Sequence, residues 1–273
     1  MKTTELKRRV GAPQAADAVP DVKALEKLVA SYWSRAKAYA VALQEPPFHP
    51  ETVHRLRTHL RRLQAHAEFL QRPMAASRLA QCVSWLSHLR MLDVFQRYLR
   101  RRGADAEDLR RVVEAVREEE ALVAHAGRLE AIRAVLATMP VARMRRPMAF
   151  LETRLTTLHR ETSDRLSEAF RGLSPEATRK ELHRLRLLVK LLRYQEEIAL
   201  ATRWGNPQQV AALKRLQRTL GDYCDRDQFR RLAKKMGLVC RGEIKKEYRR
   251  YRDRVRAAVR KLGFPESPAK GLR

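Results

Sequence analysis

Two stretches of this chain set histidine and arginine at one helical spacing, about half a chain length apart. The first reads Val53-His54-Arg55-Leu56-Arg57-Thr58-His59-Leu60-Arg61-Arg62. The second reads Leu182-His183-Arg184-Leu185-Arg186-Leu187-Leu188-Val189-Lys190-Leu191-Leu192-Arg193. Each contains His-Arg-Leu-Arg, and Arg61 or Lys190 follows four residues later. On a helix turning about 100° per residue, His54, Arg57 and Arg61 fall within an arc of roughly 60°. His183, Arg186, Lys190 and Arg193 form the matching face, extended backwards by Arg179. Guanidinium forks and ring N–H donors suit phosphate oxygens. Cations this close repel one another unless a counter-charge arrives. Glu68 and Glu197 stand only near the distal ends of the two faces.

Something must hold these faces rigid. Val53, Leu56, Leu60, Leu63, Ala67 and Leu70 recur at the three-four spacing of a buried helical stripe, as do Leu182, Leu185, Val189 and Leu192. A single basic face of this kind is most simply a solvated surface. Recurrence at matching angle, within otherwise diverged surroundings, favours a functional reading. The histidines have two open roles: orienting a neighbouring helix, or donating to a ligand phosphate.

The whole chain agrees with an anionic partner. Its 273 residues carry 58 Lys and Arg against 31 Asp and Glu, a formal charge of +27. Nucleic acid, anionic lipid and phosphate polymers are the classes such a field attracts. Both halves are positive, so the charge is no mere tail. With 44% hydrophobic residues the chain is long enough to bury a core. Abundant Ala, Leu, Arg and Glu predict an all-α fold. Cys82, Cys224 and Cys240 are widely spaced, which fits a reducing compartment and no disulfide framework. No secretory signal, membrane span, metal or cofactor is expected, and the cytoplasm is the expected location.

Proline and glycine divide the chain. Residues 1–20 read as a polar leader, 21–139 as a first helical bundle, 140–264 as a second, and 265–273 as a tail. Helices are expected over Val22–Leu43, Glu51–Gln71, Ala75–Arg102 and Ala106–Met139, the last interruptible near Gly127. Four more are expected over Pro147–Arg171, Pro175–Thr202, Pro207–Met236 and Arg241–Leu262. Ser174-Pro175 reads as one helix start, with Ser at the N-cap and Pro at N1, and Asn206-Pro207 as another. Four helices followed by four imply two tandem bundles.

Other clusters carry less. The Arg-rich last segment interleaves Tyr248 and Tyr251 among cations that surround the helix. A solvated helix, an added anion-binding wall and a nucleic-acid contact all fit it. Asp222, Asp225 and Asp227 are expected to pair with Arg218 or Arg226, and Glu118-Glu119-Glu120 to form a solvated face. The histidines lack the H-E-x-x-H spacing, and no Walker, nucleophile-elbow or dinucleotide motif occurs.

The doubled H-x-x-R-x-x-x-[RK] helix resembles the CHAD family, the conserved histidine α-helical domain. Trp85-Leu86 with Arg90-Met91-Leu92-Asp93-Val94 resembles the family's segment after the first motif. Leu216-Gln217-Arg218-Thr219-Leu220-Gly221 with Asp225 resembles the segment after the second. The similarity spans roughly residues 22 to 262. It implies two four-helix bundles around a basic pore or groove, and non-enzymatic binding of inorganic polyphosphate. The implied contacts are His54, Arg57, Arg61 and Arg62 from the first motif, and His183, Arg186, Lys190, Arg193 and Tyr194 from the second. Gln64, Leu191 and Met91 depart from the family's usual Arg, Arg and Asp. A polyphosphate reading also implies association with polyphosphate granules. A helical nucleic-acid binder is the alternative, and a polyphosphate hydrolase a third, for which the acidic strand scaffold is missing.

Overall fold

Proline at the first helical position, glycine beyond the last, and apolar stripes between them set most of the helix limits. A computed structural model describes residues 22–138, 148–173, 177–202 and 205–261, and no strand occurs among them. In chain order the helices are α1 (Val22–Ala42), α2 (Pro50–Phe69), α3 (Pro73–Trp85), α4 (Ser87–Arg101) and α5 (Ala106–His125). They continue as α6 (Arg128–Thr138), α7 (Met148–Arg171), α8 (Arg179–Ala201), α9 (Pro207–Lys235) and α10 (Arg241–Lys261). The all-α expectation holds.

Helix number differs from the four-plus-four reading. The stretch expected over Ala75–Arg102 is two helices joined at Leu86. No Pro or Gly marks the joint. Instead the Ser87 hydroxyl donates to the Val83 carbonyl at 2.6 Å, a back-bond that bends helices. The next stretch breaks at Gly127, whose φ of 65° is costly for any side chain. The start of α8 also differs. Thr178, not Ser174, is its N-cap: the Thr178 Oγ1 accepts from the Glu181 N–H at 3.3 Å, and Glu181 Oε2 accepts from the Thr178 N–H at 2.6 Å. A reciprocal capping box fixes this start, while residues 174–176 lie outside the described ones. The expected leader at 1–20 and tail at 265–273 lie outside them too.

The described residues fall into two compact units. The first comprises α1 to α6 and Leu232–Arg241. The second runs from Leu155 to Arg231 and resumes at Gly242. Within the first, α2 packs on α1, α3 and α4, and α6 on α1, α3 and α5. Its core is built from side chains such as Leu56, Leu60, Leu79, Leu89, Phe95 and Ile132, none more than 1% exposed. The second core joins Leu166 and Phe170 of α7, Leu182, Leu185, Leu188 and Leu192 of α8, Leu220 and Tyr223 of α9, and Val255 of α10. No helix among the described residues is long and apolar enough to cross a membrane.

Candidate functional site

In the first unit α2 buries Val53, Leu56, Leu60 and Leu63, each at 3% exposure or less. That stripe fixes the rotation of the helix and turns the cations outward. The Arg57 Nε donates to Ser87 Oγ at 3.2 Å, so the joint between α3 and α4 aims this guanidinium. His54 is half-buried, and its imidazole is held below the usual range by burial, then by Arg90, with Arg57 and Arg97 adding and Glu51 opposing. Arg90 and Arg97 come from α4 and extend the predicted face. Arg61 is half-buried on the same helix, whereas Arg62 lays its guanidinium 4.9 Å from the Tyr32 ring centroid.

The second unit repeats the plan on α8. Leu182, Leu185, Val189 and Leu192 are fully buried. His183 is exposed, and its imidazole is lowered by partial desolvation and by Arg186, Arg179 and Arg231. Arg186 Nε is shielded from solvent and makes no hydrogen bond within the protein. Gly221 leaves room beside it: a Cβ there would stand 3.8 Å from that nitrogen. Lys190 places its ammonium 5.5 Å from the Tyr194 centroid. The end of the motif is built inward. Arg193 is 7% exposed; its Nε donates to Gln217 Oε1 at 2.7 Å and its other end pairs with Glu197. It also stacks on buried Tyr194 at 4.3 Å. Arg193 and Tyr194 brace the helix, which leaves the His183 imidazole and the cations Arg186 and Lys190 on the outer face.

Sequence reasoning missed the carboxylate that organises the second face. Asp227 is 1% exposed, and its partners are Arg179 at 2.8 Å, Arg230 at 3.1 Å and Arg231 at 3.1 Å, not Arg218 or Arg226. Arg226 instead pairs with Glu247 at 3.2 Å and covers the Tyr251 ring at 3.9 Å. Arg230 covers Tyr248 at 5.0 Å, and the Tyr248 and Tyr223 hydroxyls meet at 3.1 Å. The tyrosines interleaved in the basic α10 therefore lock it to α9. One signal for Asp227 was present: Leu86-x6-Asp93-x-Phe95-x-Arg97 recurs as Leu220-x6-Asp227-x-Phe229-x-Arg231.

In the acidic run after Arg117 only Glu118 is solvated. Glu119 and Glu120 are 8% and 4% exposed. Glu120 accepts the Phe48 N–H at 2.8 Å, and Glu119 meets His88 at 2.8 Å and Arg128 at 3.6 Å. The opposite side of α2 holds two buried imidazoles. His59 stacks on Tyr39 and tilts against Tyr32, while His66 stands edge-on to Tyr32 with its Nδ1 2.7 Å from the Arg62 carbonyl oxygen. Burial, then Arg62, Arg35 and Arg55, lower His59 to about 4. Burial lowers His66 to about 4, against its backbone hydrogen bond. Unfolded histidine titrates near 6.5, so the unfolded chain takes up protons first and stability falls as pH drops through this window. Asp93, raised to about 6 by burial, acts in the opposite direction. Urea unfolding of wild type and His66→Gln at pH 7 and pH 5 separates them: the variant loses less stability on acidification. An equal loss in both proteins refutes the assignment.

Among the described residues the fold is all-helical, and two of its helices each set one histidine among arginines. The CHAD domain family model matches residues 73–234. The chain belongs to the CHAD family. Solved structures share its fold. The CHAD domain from the plant Ricinus communis is 18% identical, with a TM-score of 0.57 over 93% of this chain and 96% of that one. PptA from Streptomyces chartreusis is 19% identical, with a TM-score of 0.61 over 89% of this chain and 99% of that one. No curated protein matches the sequence.

Proposed function

We propose that the chain binds inorganic polyphosphate, without hydrolysing it, through the cationic faces of α2 and α8. The observation that carries this reading is the recurrence of one constellation: a single imidazole within reach of three arginines, His54 with Arg90, Arg57 and Arg97, and His183 with Arg186, Arg179 and Arg231. A phosphate polymer supplies evenly spaced charges to such a row, and side chains already ordered by a packed helix lose less entropy on binding. Arg61 and Lys190 extend the rows. Arg62, Arg193 and Tyr194 hold the helices in register from behind. Membership of the CHAD family supports the same ligand, as the resemblance of the two motifs implies.

Nucleic acid is the second reading. Its motive was the tyrosine-studded basic α10, but those rings lie under Arg226 and Arg230. They support helix packing rather than base stacking. Association with polyphosphate granules in the cytoplasm would follow from the binding itself.

Titration with long-chain polyphosphate across a salt series tests the proposal. Release of counter-ions by about six engaged cations gives a slope of log affinity on log salt near −4. Long chains are expected to bind far more tightly than tripolyphosphate and to outcompete RNA, with no orthophosphate appearing on incubation. Equal affinity for tripolyphosphate, preference for RNA, or release of orthophosphate would each count against it.

A further inference from the structure

The cations around His183 are not independent surface residues. Three of them converge on one buried carboxylate. Asp227 sits at 2% side-chain exposure, while Arg179, Arg230 and Arg231 around it are 53%, 33% and 44% exposed. Arg179 belongs to the first turn of α8 and Arg231 to α9, so Asp227 ties the two helices at the end of the face where His183 stands. Among these four side chains, one negative charge against three positive ones leaves an excess of two, before Arg186 and Asp225 are counted. Such an excess is unfavourable by itself and is relieved by an incoming anion. Arg230 is partly engaged by Tyr248. Arg179 and Arg231 are the more exposed of the three.

The first unit holds a related arrangement. Asp93 stands at the position matching Asp227, is 4% exposed, and lies within reach of Arg90 and Arg97, the arginines that also act on His54. A buried acid near arginines thus occurs in both units, and of those arginines Arg97 matches Arg231 in position. A buried pair is often no more stable than an apolar replacement.

We infer that Asp227 is a positioning residue that preassembles Arg179 and Arg231 beside His183 and Arg186, and that these two arginines are further phosphate contacts of the α8 face. The inference rests on the polyphosphate reading for its ligand, but not for its geometry. Its signature is a sign. Asp227→Asn makes the face more positive by one charge, so charge alone predicts tighter polyphosphate binding. Loss of the clamp predicts weaker binding, because Arg179 and Arg231 must then be ordered by the ligand.

The test uses the full chain with long-chain polyphosphate and two sets of variants. Asp227→Asn is expected to weaken binding about tenfold while remaining folded by circular dichroism. Arg179→Gln and Arg231→Gln, both at exposed positions, should each weaken binding by a similar factor. Combined with Asp227→Asn, they should add little further loss. Equal or tighter binding by Asp227→Asn overturns the positioning role. If that variant fails to fold, wild-type affinity in Arg179→Gln and Arg231→Gln overturns the contact role, and a tenfold loss in them sustains it. The geometry has a ligand-free readout in the titration of His183 followed by NMR. Removing a nearby negative charge lowers the histidine's pKa, whereas release of two guanidiniums raises it. A rise in Asp227→Asn supports the clamp even where wild type fails to bind polyphosphate, which would indict the ligand and not the clamp. A fall overturns it.

Discussion

If the proposed faces bind polyphosphate, the double variant Arg57→Glu/Arg186→Glu is expected to bind it below detection while keeping helicity and cooperative unfolding. The two reversals alter the net charge of the binding rows by four, one pair of units on each helix. Neither side chain is part of a core. Arg186 makes no hydrogen bond through its Nε, and Arg57 gives up its 3.2 Å contact with Ser87, a loss of roughly 1 kcal/mol. The packed stripes behind them, Leu56 and Leu60 in α2 and Leu185 and Val189 in α8, are untouched. Each single reversal is expected to leave measurable but weaker binding, since the other face still presents its own imidazole and arginines. Isothermal titration at physiological salt reads the loss. Retained affinity in a folded double variant would move the binding surface to the solvent-facing cations of α10.

The largest loss of stability is expected from Asp108→Ala. Asp108 is 1% exposed and accepts the backbone N–H of Val239 at 2.8 Å and of Cys240 at 2.9 Å. It thereby secures the turn ahead of α10 to α5 within the first unit. Burial opposes its charge, yet the Cys240 and Val239 donors outweigh that cost and hold the carboxyl below the usual aspartate range. Alanine leaves two donors without a partner, at about 2–4 kcal/mol. For a chain of this size that lowers Tm by roughly 5–10 °C. Because the folded carboxyl is the stronger acid, its contribution is present at neutral pH and is lost as pH falls below about 4. Calorimetry of wild type and variant at pH 7 and again near pH 3 checks both. A Tm within a degree of wild type would refute the bracing role.

Much of this molecule was readable because helical spacing is a local code. The apolar positions of α2 and α8 announced which residues would be buried, and burial fixed which side of each helix His54 and His183 would occupy. Pro50, Pro73, Gly103 and Gly127 marked boundaries for the same local reason. What stayed hidden depends on partners distant in sequence or on competition between neighbours. Glu120 looks solvated until the Phe48 N–H arrives from 72 residues away. Asp227 sits among arginines on either side, and only packing selects Arg179 of another helix over Arg226. Thr178 and Ser174 are both competent N-caps, and a Glu three residues on decides for Thr178. The Leu86 joint turns on a serine hydroxyl choosing a carbonyl of its own helix.

The histidines make the central claim directly observable. In protein selectively labelled at histidine, long-chain polyphosphate should shift the ring resonances of His54 and His183 and raise the pKa of both, as phosphate charge offsets the surrounding arginines. His59 and His66, buried against Tyr32, should stay where they are. Rings of His54 and His183 that do not respond at saturating polyphosphate would contradict the account.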